Sequence, residues 1–484
     1  MISISNFKLN RDKKITTLLK ELKSFIFKSS KEKWINNYLK KISTTLNFPT
    51  HILSDEFQIF LFENFENHYG KFNKKFHIVN LFRDSIKIII FYIYIFIFSK
   101  KITKQLKTQV IVDDIDDANT NLRFNELEKY FKIIYFVTGF KGNKKKTFYF
   151  EKFRGASNES FFLKNPLFFF QLFFLTFYYS ILSLNNLFPF SIRLLKIITK
   201  YETLFTSISS DFLIQERHFN TSALKNYIYK KNGGSYSCAT QRNILQINGV
   251  GMYINTDILF SLGTKTSANL KKYAGKAKKI IPVGSLGMEL NYFKRKEKNS
   301  LKKYDLIVFA SDHNKIFHSG YNSYYREYLQ HFDWIKKFAQ KHSKFKIGIK
   351  LKHVIKDKNV IKLFQDIKNV KILVDRKYLS DSYFYASKSN ALCTWSSTLA
   401  FEFLGHGRVV YFCDPNYKNL SFLPNERHIK KFKLNNYSKF EKKILEQIND
   451  KKLRFYKNKK LQEKFCLNSY DVTKRIYKSL KKIK

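Results

Sequence analysis

Leu392 to Pro415, LCTWSSTLAFEFLGHGRVVYFCDP, sets a hydroxyl-rich turn, a short helix, a glycine turn and an apolar strand in succession. Leu399, Ala400, Phe403 and Leu404 recur at helical spacing directly after Ser396, Ser397 and Thr398, so the three hydroxyls fall where the helix begins. Gly405 and Gly407 stop it, and Val409 to Phe412 reads as a buried parallel strand. The helix start is a place for an anion, because unpaired backbone N–H groups and the positive end of the helix dipole both face it. Glu402 follows Thr398 by one turn on the same face, where a carboxylate accepts hydrogen bonds from a ribose diol while the turn holds phosphates. Plain helix capping uses the same Ser and Thr residues, so this segment alone leaves ligand binding and capping both open.

The alternation extends upstream. Leu306 to Ala310, Phe345 to Ile349, Val370 to Val374 and Ala391 to Thr394 are short apolar runs separated by helical stretches such as Tyr324 to Lys341. Val110 to Val112, Ile133 to Val137, Phe212 to Ile214 and Ile280 to Val283 form an earlier set. The expected fold class is α/β: two Rossmann-like parallel-sheet domains facing a central cleft, with added helical segments at both ends. The boundaries read as a basic, mixed region at 1–105, an acceptor-side sheet domain at 106–295 with an apolar insertion at 161–190, a donor-side sheet domain at 296–436 and a helical segment at 437–484.

Composition limits the function classes. With 44% hydrophobic residues, the 484-residue chain packs cores and is not a disordered polyelectrolyte. Lys and Arg outnumber Asp and Glu by 89 to 38, and part of that excess is of the kind an AT-rich coding bias imposes. The remaining positive field attracts anionic lipid, nucleotide-linked substrates and nucleic acid alike. A nucleic-acid binder clusters its basic residues with exposed aromatics or carries a known module, whereas the lysines here are scattered and no module is present. Cys238, Cys393, Cys413 and Cys466 show neither CxxC nor zinc-type spacing, which fits a reducing cytosol and predicts no metal centre. The polar, basic N-terminus does not read as a secretory signal.

Two apolar stretches bear on membranes. Ile88 to Phe98, 11 residues flanked by Lys87 and Lys100, is short for a span and reads as a buried element. Leu167 to Leu184 is uncharged over 18 residues, with eight aromatics and Gln171, Thr176 and Ser180 among them. That mixture points to a helix at the headgroup boundary of an anionic membrane or packed in a core, while its length only just reaches a span.

Polar residues at strand ends are the candidates for chemistry. Glu216 and His218 follow the Phe212 strand; Gln246, Asn248 and Gly249 follow a later one; Gly284 and Ser285 follow Ile280 to Val283. Ser311 follows the Leu306 strand, and Lys352 and His353 follow the next. A carboxylate or imidazole there deprotonates an acceptor hydroxyl, and basic groups neutralise a departing diphosphate. Asp113, Asp114, Asp116 and Asp117 contain a DxD triplet; at the end of the first strand they read as a loop before a helix, and no metal is predicted.

The motifs DFLIQERHF, ILQING, DILFSLGT, KIIPVGSLG, DLIVFAS, IKLKH and CTWSSTLAFEFLGHGRVVYF, between Asp211 and Pro424, occur in an order that resembles the GT-B glycosyltransferases of bacterial surface carbohydrate synthesis. The similarity is greatest to the branch of capsule and CDP-glycerol-type polymer transferases. The resemblance implies a GT-B-like fold, with Ser396, Ser397, Thr398 and Glu402 holding the donor's phosphates and ribose beside Ser311, Lys352 and His353. It puts Gln246, Gly249, Gly284 and Ser285 on the acceptor side. The family's usual Gln-His-Gly is here Gln246, Asn248 and Gly249, and its His-Pro is His353 and Val354, so the base falls to Glu216 or His218.

The expectation is a metal-independent transferase on the cytoplasmic side, peripheral to the membrane, that moves a sugar from a nucleotide-sugar co-substrate, with no other cofactor, to a surface polysaccharide or lipid-linked acceptor. A sugar-nucleotide epimerase on the same fold is the alternative within enzymes. A non-catalytic binder of anionic membrane or nucleic acid is the alternative outside them.

Overall fold

The computed structural model describes residues 24, 26–67, 78–98, 106–115, 120–137, 147–149, 166–216, 221–242, 253–265, 276–293, 303–310, 325–351, 358–373, 381–415 and 427–483. They divide into two units: Met1–Thr240 with Gly251–Leu259 and Ala274–Lys279, and Gln241–Val250 with Phe260–Tyr273 and Ile280–Lys484.

In the first unit, apolar residues three and four apart set the helices. Helix α1 (Lys33–Leu46) buries Ile35, Tyr38, Leu39, Ile42 and Leu46, and ends where Asn47 turns left-handed (φ 54°) and donates its N–H to the Ser43 carbonyl. Then follow α2 (Thr50–Asn67), α3 (Ile78–Phe98), α4 (Pro166–Ser183), α5 (Phe188–Ser207) and α6 (Ala223–Lys231). Glu56 of α2 is fully buried and joins three of them. Its carboxylate meets Arg193 of α5 at 2.7 Å and accepts from Ser222 Oγ at 2.7 Å and from the Leu224 N–H at the start of α6. An acid at a helix start is held by the dipole as well as by these donors.

The strands of this region are β1 (Leu106–Lys107), β2 (Val110–Ile115), β3 (Ile133–Val137), β4 (Thr147–Tyr149), β5 (Ile208–Ser209), β6 (Phe212–Gln215), β7 (Tyr236–Thr240), β8 (Ile258–Ser261) and β9 (Lys279–Pro282). β1 and β5 pair by themselves, and the other seven form a sheet in the order β4-β3-β2-β6-β7-β8-β9. The registers of β2 with β3 and β6, and of β6 with β7, are parallel.

The second unit holds β10 (Leu306–Phe309), β11 (Ile347–Lys350), β12 (Val370–Leu373), β13 (Ala391–Thr394), β14 (Tyr411–Cys413) and β15 (Lys433–Leu434). They are parallel throughout, in the order β12-β11-β10-β13-β14-β15. Its helices are α7 (Tyr325–Lys341), α8 (Lys358–Phe364), α9 (Ser382–Lys388), α10 (Thr398–Gly405), α11 (Tyr437–Asn449), α12 (Lys459–Phe465) and α13 (Val472–Lys481). The interior strands β10, β11 and β13 are buried at every residue, which explains their unbroken apolar runs, while edge strand β12 is largely half-exposed.

Numbered from its own first member, each sheet runs 3-2-1-4-5-6, with a seventh strand added to the first. That is the doubly wound order, whose switch point lies between strands 1 and 4. Two Rossmann-like parallel sheets, with helical segments before the first and after the second, make the GT-B-like α/β class expected from sequence.

One element departs from expectation. The run Ile88 to Phe98 is the second half of the 21-residue α3, and Ile89, Ile90, Ile93, Phe96 and Ile97 are exposed while Ile88 and Ile95 are buried. Arg83, Asp84 and Lys87 interrupt the hydropathy and hide the helix's full length in the sequence, and only one of its faces packs on the protein.

Candidate functional site

The switch point of the first sheet is the carboxyl end of β2 and β6, where Asp113 and Glu216 stand. The Glu216 N–H donates to the Asp113 carbonyl at 3.0 Å, and Thr240 Oγ1 at the end of β7 donates to the Glu216 carbonyl at 3.0 Å, so three strand ends fix the Glu216 backbone. Glu216 is buried. Asp113 is paired with Lys225 of α6: Nζ lies 2.9 Å from Oδ2, with both side chains nearly inaccessible. Tyr201 of α5 donates to the same carboxylate oxygen at 3.2 Å, and its ring lies 5.2 Å from the Lys225 ammonium. Beside Glu216, Gln215 donates to Asn226 at 3.2 Å. The first aspartate of the acidic cluster is thus the anion of a buried ion pair, and strand 1 ends in charge held away from water.

In the second sheet the switch point is the carboxyl end of β10 and β13. Thr394 Oγ1 donates to the Phe309 carbonyl at 2.7 Å, locking the two strand ends together, and the Trp395 ring meets the Tyr328 ring edge-on at 5.9 Å. The chain then turns through Ser396, which is buried, into Ser397, which is extended (φ −155°, ψ 138°), and enters α10 at Thr398. Ser397 is the N-cap residue, yet its side chain makes no capping hydrogen bond. Ser397 and Thr398 are half-exposed. A helix start at a switch point has the backbone donors and the dipole an anion needs.

Behind this turn, Glu402 is buried and accepts from Ser285 Oγ at 2.5 Å and from the Tyr383 hydroxyl at 2.9 Å. Ser285 caps the turn Leu286–Met288 by accepting from the Met288 N–H, and its own N–H donates to Ser469 Oγ at 3.0 Å. Gly284 has φ 99°, and a Cβ there would meet the Leu467 carbonyl and Ser469 Oγ at 3.0 Å, so the turn requires glycine twice over. Gly284 and Ser285 fall in the second unit, where Ser285 orients Glu402. These bonds fix the orientation of the carboxylate.

His406 completes the support. The Ser469 N–H donates to Nε2 at 3.0 Å, which places the ring proton on Nδ1, 2.8 Å from the Glu402 carbonyl. Burial, first, holds this imidazole below its usual titration range. Burial also pushes the nearby Cys466 thiol up to about 12, away from thiolate chemistry.

His218, Gln246, Gly249, Ser311, Lys352 and His353 lie outside the described residues, as do Asp116 and Asp117. Among the described residues no group of three or more His, Cys, Asp or Glu is arranged to hold a metal ion. Sequence reasoning missed Lys225, Tyr201, Tyr383 and Ser469. Each is an ordinary helix or loop residue by pattern, and only the fold brings it to its partner.

No family model and no curated protein matches this chain. Solved structures similar to it include S. aureus MnaA with UDP, at 12% identity over 78% of this chain and 97% of that one, with a TM-score of 0.47. Another is the UDP-GlcNAc 2-epimerase of Neisseria meningitidis bound to UDP-GlcNAc, at 12% identity, 78% and 100% coverage and a TM-score of 0.43. The wall teichoic acid polymerase TagF is a third, at 13% identity, 83% and 98% coverage and a TM-score of 0.37. The fold class rests on the strand orders and parallel registers of this chain itself.

Proposed function

We propose that the chain is a glycosyltransferase that moves a sugar, or a related group, from a nucleotide-activated donor to a surface polysaccharide or lipid-linked acceptor on the cytoplasmic side. One observation carries the reading: both sheets are doubly wound, and residue types that suit group transfer stand at both switch points, a carboxylate at one and a hydroxyl-flanked helix start at the other.

In this reading Glu216 accepts the proton of the acceptor hydroxyl as that oxygen attacks the anomeric carbon. The bond from that carbon to the phosphate oxygen breaks, and the negative charge gained by the leaving nucleoside diphosphate is stabilised by the N–H groups and dipole at Ser397 and Thr398. Glu402, held by Ser285 and Tyr383, takes the ribose hydroxyls. The route uses no metal.

The test is incubation of the full chain with UDP-, GDP-, CMP- and CDP-linked donors, with and without an acceptor extract. Nucleotide release that needs the extract supports transfer. Interconversion of the sugar nucleotide without acceptor would replace transfer by epimerisation on the same scaffold.

A further inference from the structure

We propose that the outer faces of α3 and α4 form one surface that docks on an anionic lipid bilayer, with both helices lying along the membrane plane. Among the described residues there are 23 exposed large hydrophobic side chains, nine on α3 and six on α4, so more than half of the exposed apolar groups sit on two helices. Soluble monomers rarely show apolar surface so concentrated.

On α3 the exposed positions include Ile86, Ile90, Ile93 and Ile97, and on α4 they include Phe170, Phe174, Tyr178 and Ile181, each set at the spacing of one helical face. The two faces are neighbours. Tyr92 stacks on Phe169 at 4.0 Å, and Phe82 lies 6.4 Å from Phe177, so the helices run antiparallel side by side.

Both helices are inside out by the standard of a water-facing surface. The inward side of α4 carries its hydroxyls: Thr176 bonds Ser191 of α5 at 2.7 Å and Tyr38 of α1 at 3.1 Å, and Ser180 accepts from the Leu187 N–H at 3.0 Å. The inward side of α3 carries Asp84 and Ser85, with Asn186 donating to Asp84 at 2.9 Å. Polar groups in and aromatic or branched groups out is the arrangement of a helix whose outer medium is hydrocarbon.

The same inward bonds favour a helix lying on the surface over a span. α4 is fastened along one side to α1 and α5, which belong to the core of the first unit, so lipid reaches only the opposite side.

The occupant follows from charge. The chain carries a net +51, which repels a second copy and attracts anionic headgroups. Arg83 and Lys87 hold Asp84 yet stay more than half exposed on α3, within reach of headgroup phosphates.

The test uses the full chain and extruded vesicles of phosphatidylcholine, alone or mixed with phosphatidylglycerol. Co-sedimentation is expected with the mixed vesicles, weakened by high salt. The double variant Ile90→Glu, Phe174→Glu, made at exposed positions, is expected to lose about 10-fold or more in partitioning while keeping the parent's melting curve. As a second readout, Phe174→Cys carries a polarity-sensitive dye, the native cysteines all being buried, and its emission is expected to shift to the blue with the mixed vesicles. Either of two results overturns the proposal: no sedimentation and no blue shift with any vesicle, or a wild-type dimer in solution that the double variant converts to monomer. The latter assigns the face to a second copy.

Discussion

At the break in strand order of the first sheet, a carboxylate, an ammonium and a phenol are packed away from water beside Glu216; at the same break in the second sheet stand hydroxyls and the open end of a helix. The topology is common to both, so it accounts for where the polar groups gather and not for what they are. The first break holds charge in a fixed, dry frame, which suits proton transfer. The second offers neutral donors and a dipole, which suits an anion that arrives and leaves. If that division of labour is right, substitutions at the two breaks separate turnover from affinity.

The largest effect is expected for Glu216→Gln. Loss of a general base lowers turnover by about 10²- to 10⁴-fold while nucleotide affinity stays as it was. Nucleotide-release kinetics at saturating donor measure it, and full activity in the variant would remove Glu216 from the chemistry.

Asp113→Asn comes next and reads stability. Removing the negative charge that faces the buried Lys225 ammonium costs roughly 3–5 kcal/mol, measured by urea unfolding of the variant. Replacing both partners with apolar residues of similar volume recovers most of that loss, and a neutral single variant would mean that water reaches the pair.

A third contrast lies in acid. In the second unit, burial of His331 pushes its imidazole down to about 3, so it is neutral in the fold. Its contribution is complete above the ordinary value of 6.5 and is lost as pH falls from there toward about 3, because the unfolded chain binds a proton that the fold refuses. The slope is at most about 1.4 kcal/mol per pH unit. His406, shifted in the same direction, adds to it. Denaturant midpoints between pH 7 and 4 should fall for the wild type and flatten for His331→Phe; equal slopes would contradict a neutral, buried His331.

The smallest effect is expected for Tyr383→Phe. Removing the Tyr383 hydroxyl that donates to Glu402 costs about 1 kcal/mol or somewhat more, read as a lowered denaturation midpoint. A larger loss of nucleotide affinity than of stability would tie Glu402 to the ligand.

Strands of both sheets were legible in the sequence as short apolar runs: β3 and β13 occupy the residues expected, and β10 and β12 end one residue earlier. The start of α10 was legible for a local reason, three hydroxyls directly before a helical apolar repeat. Strand order was not, since periodicity reports burial and says nothing of neighbours. Nor was the partner of Asp113, because Lys225 lies 112 residues away on a helix whose other lysines face solvent. The bond from Ser285 to Glu402 was hidden for the same reason: its turn follows the last strand of the first sheet in the chain, and Glu402 lies 117 residues on.

Anion binding at the helix start at Thr398 is probed most directly by calorimetric titration of UDP, GDP and CDP into the wild type and Thr398→Asp. One of the three is expected to bind the wild type, with affinity falling about 10-fold or more when a fixed negative charge is put at that end of the dipole. Binding that is indifferent to Thr398→Asp, or no binding of any nucleoside diphosphate to the wild type, would contradict it.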